Sequence, residues 1–216
     1  YSVTATISSL QSTAWDISGI IINSTASSVL TVTGGISTAQ PASASVTITF
    51  SGPGKFHIGG TSIIGYDSSI AISSGAIVYF DANAVYDQAT NNPHGSLINN
   101  GTLNILAGCN FKFGDFSSLV NKGSVTSVSS TFTLQGNGTP TCSINNTGTF
   151  TDHMSAFNLN GQDAIINSSQ SGSSGVFYGH KSTITLVGAS SAYINNSKTF
   201  SLDSASVINI NGSGDY

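Results

Sequence analysis

The chain has 216 residues and a net charge of −4, and only 6% of its residues are charged, against about 25% in an ordinary globular domain. It contains no Arg and no Glu, and its Lys residues are scattered, which excludes the basic stripe of a nucleic-acid-binding protein. It also has no apolar run of the ~18 residues that a transmembrane helix needs.

Short runs of alternating polar and apolar residues recur along the chain and predict β-strands. The runs are separated by turns rich in Gly, Asn and Ser, and helix-forming residues are too sparse for a helical repeat. In chain order the predicted strands are 1–7, 46–50, 76–80, 102–106, 131–134, 183–187 and 207–211.

A repeated phrase determines the predicted fold. An apolar residue is followed by Asn or Ser residues, often Gly, and a second apolar residue, as in segments 98–103, 120–125, 144–150 and 194–200. The leading residues recur every 22 to 28 positions, at Ile22, Phe50, Ile72, Ile98, Val120, Ile144, Ile166 and Ile194. This spacing predicts an all-β protein, a single-stranded parallel β-helix, or β-solenoid, of about eight rungs of 22–28 residues.

In such a fold, equivalent side chains of successive rungs lie above one another. The second apolar residue of each phrase is expected inside the solenoid, at Phe56, Ile77, Leu103, Val125, Phe150 and Phe200. The Asn after each leading residue is expected to form a stack along one corner, at Asn23, Asn99, Asn121, Asn145, Asn167 and Asn195.

A single domain over 1–216 is predicted, with an N-terminal rung or cap at 1–20, repeated rungs at 21–210 and a tail at 211–216. The alternative is a β-sandwich, which also has short strands at regular intervals but no reason to repeat a phrase. Both ends of the solenoid are strand-like, and we therefore expect self-association into filaments or larger assemblies.

The sequence offers few candidates for chemistry. Cys109 and Cys142 are the only cysteines; their separation leaves open a disulfide or two buried thiols. A weak calcium candidate consists of Asp81, Asn83 and Asp87, without the Gly and terminal Glu of a calcium loop. The four His residues are dispersed and predict no zinc site. No catalytic residue and no cofactor are therefore predicted.

Seven Asn-x-Ser/Thr triplets are candidates for N-glycosylation. They begin at Asn23, Asn100, Asn137, Asn145, Asn167, Asn195 and Asn211. Most lie at or next to the repeated corner, so attached glycans would project in a row from one edge. The same Asn residues also suit a buried hydrogen-bonded stack, and one side chain cannot serve both purposes.

The Ile-Asn-Asn phrases that end in Thr-Phe resemble the rungs of right-handed β-helix surface proteins, of the filamentous-haemagglutinin and autotransporter-passenger type, and more loosely the pectin-lyase-like superfamily. The resemblance covers roughly residues 20–210. It implies an extended, extracellular and mostly non-catalytic stalk or adhesive surface. The polysaccharide-cleaving members combine clustered Asp with Arg or Lys, and a chain without Arg departs from that pattern.

The leading functional hypothesis is a non-enzymatic, secreted structural protein: a subunit or segment of an extracellular fibre, sheath or surface appendage, N-glycosylated and self-assembling through its ends. A chain that starts at Tyr1 without an initiator Met fits a processed secreted protein or a cloned fragment. The second hypothesis is a cell-surface adhesin or carbohydrate-binding protein that uses exposed Tyr residues and Trp15. The third is a polysaccharide hydrolase or lyase.

Overall fold

The computed structural model describes residues 4–7, 10–11, 19–26, 28–38, 46–65, 68–86, 95–136, 142–161, 163–170, 173–187 and 192–211. All regular elements in these ranges are β-strands. In the same ranges, no helix is long and apolar enough to cross a membrane.

Three parallel sheets, A, B and C, run the length of the molecule. Sheet A contains β1 (Thr4–Ile7), β4 (Val29–Val32), β7 (Lys55–Ile58), β10 (Ile77–Phe80), β13 (Thr102–Ile105), β16 (Ser124–Val128), β19 (Thr149–His153), β24 (Val176–His180) and β27 (Thr199–Leu202). Sheet B contains β2 (Leu10–Gln11), β5 (Ile36–Ser37), β8 (Ser62–Ile63), β11 (Ala84–Tyr86), β14 (Asn110–Phe113), β17 (Thr131–Leu134), β20 (Ala156–Leu159), β25 (Thr183–Val187) and β28 (Val207–Asn211).

Sheet C contains β3 (Gly19–Asn23), β6 (Thr47–Ser51), β9 (Ser69–Ile72), β12 (Ser96–Asn99), β15 (Ser118–Asn121), β18 (Ser143–Asn146), β21 (Ala164–Asn167) and β26 (Tyr193–Asn196). A small antiparallel hairpin, β22 (Ser169–Gln170) and β23 (Ser173–Ser174), is inserted between β21 and β24.

The chain visits sheets A, B and C in turn, and each strand pairs in parallel with the strand one turn later. For example, β13 pairs with β16, placing Leu103 beside Val125. This topology confirms the predicted all-β parallel solenoid. It excludes the β-sandwich, whose sheets are antiparallel.

About six turns, from β6 to β25, enclose the hydrophobic core, rather than the eight rungs predicted. Within these turns the strands alternate between buried and half-buried residues, as in Leu97, Ile98 and Asn99. The strands beyond them continue the sheets but are more exposed, since they are covered on one side only. In β28, Ile208 and Ile210 are 46% and 57% exposed.

Aromatic side chains fill much of the interior and stack from turn to turn. Phe132 of sheet B lies 4.7 Å from Phe157 with an angle of 2° between the rings. In sheet A, Phe177 lies 5.1 Å from Phe150 and 4.7 Å from Phe200. Each buried ring removes a large apolar area from water and adds an aromatic contact with its neighbour.

The predicted inner stack is largely correct. Strand pairing aligns Phe56, Val78, Leu103, Val125 and Phe150 in one column, followed by Phe177 and Phe200. The prediction is wrong at one position, because Ile77 is half-buried on the outer face and its neighbour Val78 takes the inner place. Side chains alternate between the two faces of a strand, so a shift of one residue reverses the side.

Three of the leading residues also point outward. Ile98, Val120 and Ile166 are half-buried on the outer face of sheet C, whereas Ile72 and Ile144 are buried inside. The repeated phrase therefore does not keep one register with the strands, and its first apolar residue lies on the inner face in some turns and on the outer face in others.

Candidate functional site

The corner between sheets C and A holds a continuous chain of side-chain amides, which we call the asparagine ladder. It consists of Asn99, Asn121, Asn146, Asn167 and Asn196, at the same position of successive turns. Each Nδ2 donates to Oδ1 of the next member, at 2.8, 2.7, 2.7 and 2.8 Å. The first four members are fully buried.

A second set of hydrogen bonds ties the ladder to the backbone. Nδ2 of Asn99 also donates to the carbonyl of Ser124 at 2.9 Å, and Nδ2 of Asn121 donates to that of Thr149 at 2.9 Å. Oδ1 of Asn99 accepts from the amide of Gly101 at 3.1 Å. Both amide protons and the carbonyl oxygen are thus satisfied, as burial of such a group requires.

The predicted asparagine stack is correct for Asn99, Asn121 and Asn167. It is wrong for Asn145 and Asn195, which lie on the outer face, where the following residues Asn146 and Asn196 belong to the ladder. It is also wrong for Asn23, which is exposed, because Ile22 occupies that column in the first turn. The signal that was missed is the apolar residue two positions before each ladder Asn, because two positions on a strand share one face.

The structure separates the glycosylation candidates by exposure. Asn167 is fully buried in the ladder and Asn145 is half-buried, and Asn137 lies outside the described residues. The exposed candidates are Asn23, Asn100, Asn195 and Asn211. Asn100 follows the buried Asn99 directly. In this turn a buried ladder residue and an exposed glycosylation candidate are therefore adjacent.

An aromatic and acidic cluster lies on the outer face of sheet A near its N-terminal end. The ring of His57 stacks on that of Tyr79, with centroids 4.5 Å apart and an angle of 5°. Nδ1 of His57 lies 3.3 Å from Oδ2 of Asp81. One imidazole therefore covers one face of the tyrosine ring and pairs with the neighbouring carboxylate.

A related cluster lies at the other end of the same sheet. Nδ1 of His180 lies 2.6 Å from Oδ2 of Asp203, and His153 contacts His180 edge to face at 5.9 Å. A hydrogen bond from the Ser206 hydroxyl and one from the backbone amide of Lys181 lower the pKa of Asp203 to about 2. Asp203 is thus a carboxylate across the ordinary pH range.

Two carboxyl groups are buried inside the solenoid. Asp152 accepts hydrogen bonds from the Ser127 hydroxyl at 2.5 Å, from the backbone amide of Ser155 at 3.1 Å and from the Ser182 hydroxyl. Two hydroxyls and one amide thus satisfy this interior carboxyl group in place of water.

Asp163 is the second buried carboxyl group. Its Oδ1 accepts from the backbone amide of Gly136 at 2.7 Å, and its Oδ2 has no partner among the described residues. Burial raises the pKa of Asp163 to about 6, although its backbone hydrogen bonds act in the opposite direction. Strand β20 separates the two groups along the chain, since Asp152 precedes it and Asp163 follows it.

The two cysteines are separate buried thiols in this structure. Sγ of Cys109 contacts the carbonyl oxygen of Phe80, and that of Cys142 contacts the carbonyl of Phe113, both at 3.3 Å. Burial raises the pKa of the Cys109 thiol, which makes it a poor nucleophile. The disulfide alternative is not present here.

The calcium candidate is only partly within the described residues. Asp81 pairs with His57, and Oδ1 of Asn83 accepts from the backbone amide of Asn110 at 2.8 Å. Asp87 lies outside the described residues, as does Trp15. The described part of the chain contains no cluster of three or more His, Cys, Asp or Glu residues suited to a metal ion.

No known protein family matches this chain, and no curated protein or solved structure matches it significantly.

The asparagine ladder gives a stability prediction. Asn146→Ala is expected to lower the free energy of unfolding by at least ~3 kcal/mol, since it leaves buried partners on Asn121, Asn167 and the carbonyl of Val176 unpaired. Asn145→Ala is the matched control, with an expected loss within ~1 kcal/mol. Urea denaturation followed by circular dichroism measures both, and equal losses would contradict the ladder.

Asp163 gives a prediction of pH dependence. Its pKa is about 6 in the folded protein and near 3.8 when unfolded, so the folded state binds this proton more tightly and wild-type stability falls as the pH rises between these values. Asp163→Asn lacks this loss. The free energy of unfolding of the variant, relative to that of the wild type, should therefore rise by about 3 kcal/mol between about pH 3.5 and pH 7. Parallel pH profiles of the two proteins would contradict a raised pKa of Asp163 in the folded state.

Proposed function

We propose that this protein is a non-enzymatic structural subunit or segment of an extracellular fibre, sheath or surface appendage, which assembles end to end. The observation that carries the proposal is the C-terminal end of the solenoid. Ile208 and Ile210 continue the buried columns of Ile184 and Leu186, yet they are 46% and 57% exposed. Side chains that continue the interior columns are thus exposed to solvent at this end, where a second copy would cover them.

The opposite end offers a complementary surface. Ile20, Ile22 and Leu30 of the early turns are only partly buried. A cleft of about 360 Å³ lies beside them, lined by residues that include Ala5, Leu30 and Phe56. The described early turns therefore have partly exposed apolar side chains and a cleft at the corner between sheets C and A.

Strand direction supports a head-to-tail contact. All strands of sheets A, B and C are parallel, so the C-terminal edge of one copy has the polarity that the N-terminal edge of the next copy requires. A contact between two different surfaces repeats without closing unless its rotation forms a ring. The second copy would therefore extend the solenoid into a filament.

The lateral surface fits an extracellular, N-glycosylated role within this proposal. Charged residues make up only 6% of the chain, so hydroxyl and amide groups supply most of its polarity. The exposed triplets at Asn23 and Asn100 begin at the corner that follows sheet C, and the triplet at Asn195 begins one residue before it, on the outer face of β26. The rungs also resemble those of filamentous-haemagglutinin-type surface proteins, which agrees with a stalk or appendage.

The placement of the acidic groups supports a non-enzymatic reading. Asp152 and Asp163 are fully buried, where a polymeric substrate has no access. Among the exposed carboxylates, Asp81 and Asp203 each pair with a His and lie near opposite ends of sheet A. Asp163 has a carboxylate neighbour, Asp115, which contributes to its raised pKa. Glycoside hydrolysis needs both carboxyl groups at the substrate, however, and Asp163 is fully buried.

End-to-end assembly is tested with a double variant. Wild-type protein at high concentration should form filaments in negative-stain electron microscopy and large species in light scattering. Ile208→Lys with Ile210→Lys should stay monomeric, because charges would be buried at the joint. Ile63→Lys, on the exposed outer face of sheet B, is the control and should assemble normally. A wild-type protein that remains monomeric would overturn the proposal.

Glycosylation is tested by intact mass after secretion from eukaryotic cells. The mass should exceed 22.0 kDa, and peptide mapping should place glycans on Asn100 and on other exposed candidates but not on Asn167, which is buried in the ladder. Asn100→Gln should remove the mass of one glycan. Sugar on Asn167, or no excess mass, would contradict the glycosylated edge without affecting the assembly test.

A further inference from the structure

The outer face of sheet A carries an ordered central row of side chains. Strand pairing aligns Tyr79, Asn104, Thr126, Thr151 and Tyr178 on five successive turns. Two large aromatic residues thus stand at the ends of the row, with three shorter hydrogen-bonding residues between them. This arrangement lies on strands β10 to β24, within the enclosed turns.

The tyrosine side chains are longer than those of the three residues between them, and we call this row of five residues the trough. Neighbouring strands lie ~4.8 Å apart, so the two tyrosines are separated by about 19 Å along the solenoid axis. His57 covers the N-terminal face of the Tyr79 ring, which leaves the opposite face directed along the row towards Asn104. Tyr178 is 48% exposed at the far end.

The rows on either side make the trough amphipathic. On one side, hydroxyl groups come from Thr102, Ser124 and Thr149, which share a column. On the other side, Leu106, Val128 and His153 continue the outer surface, and Leu106 is 39% exposed. Beside the middle of the row, hydroxyl groups thus lie on one side and the apolar Leu106 and Val128 on the other. Towards its ends, Ile77 and Val176 continue the hydroxyl column and His153 continues the apolar one.

The three residues between the tyrosines carry no charge. Near Tyr79 lie Lys55 and Asp81, and near Tyr178 lie Lys181 and Asp203. Each end thus has both signs and not the clustered positive charge that binding a polyanion requires. The row therefore favours a ligand without charge.

We propose that this trough binds a neutral polysaccharide. Sugar rings have an apolar face of C–H groups that packs on accessible aromatic rings, here the half-buried Tyr79 and the exposed Tyr178. Their hydroxyls both donate and accept hydrogen bonds, as the side chains of Asn104, Thr126 and Thr151 do. A sugar ring packed on the free face of Tyr79 would stand across the row, next to Asn104.

This binding activity goes beyond a structural role and does not depend on it. In an assembled filament, the trough would recur once in each copy, so weak individual contacts to one polysaccharide chain would add up through multivalency. A monomeric protein would retain the same trough with a lower overall affinity.

Affinity electrophoresis in native gels that contain a neutral β-glucan, galactomannan or xylan tests the proposal. Wild-type protein should be retarded by at least one of them. Tyr79→Ala and Tyr178→Ala should each weaken the retardation about tenfold. Tyr193→Ala is the matched control, since Tyr193 is exposed on sheet C and should bind as wild type does. Circular dichroism verifies that each variant folds.

Three results would overturn the proposal. They are the absence of retardation of wild-type protein in every neutral gel, equal retardation of the wild type and both trough variants, and retardation only by an acidic polysaccharide. These results are independent of filament formation, which is scored by microscopy, so failure of one proposal is distinguishable from failure of the other.

Discussion

The whole molecule depends on parallel, in-register stacking, in which each side chain meets the equivalent side chain of the next turn ~4.8 Å away. A residue at a given corner must therefore be compatible with its own counterpart. Asparagine meets this condition in the ladder, because its amide both donates and accepts, and Asn121 bonds to the members before and after it. Phenylalanine meets it by ring stacking, as Phe132 does with Phe157. Neither residue needs a partner of a different chemical type.

The same condition accounts for the scarcity of charge. A charged residue repeated at one corner would lie beside a like charge in the next turn, which is destabilising. The chain has only 6% charged residues, and one of them, Asp203, lies against His180 of the preceding turn rather than against another carboxylate. In the interior, Asp152 accepts hydrogen bonds from the hydroxyls of Ser127 and Ser182, which belong to the adjacent turns. Solubility then rests on neutral polar groups, which also suit contact with neutral, hydroxyl-rich polymers.

Composition and periodicity were sufficient to predict an all-β parallel solenoid and most of its inner column, because strand alternation and repeat spacing are local properties of the sequence. The face of each residue was harder to predict. Ile77 and Asn145 were assigned to the wrong side of their strands, since the turns differ in length and a shift of one residue reverses the face. The trough could not be predicted either, because Tyr79 and Tyr178 are far apart in the sequence. They fall in one row only when the register of every intervening turn is known.

The asparagine ladder has a direction, and it has an end. Every amide donates towards the C terminus until Asn196, whose Nδ2 donates instead to the carbonyl of Lys198 in its own turn, at 2.8 Å. In the first turn the same column holds Ile22, so a second copy has no asparagine with which to continue the chain. In the end-to-end assembly proposed above, the ladder would therefore stop at each joint. The turns on either side of the joint would be held by backbone hydrogen bonds and apolar packing, as the turns of Ile22, Phe50 and Ile72 are within one copy.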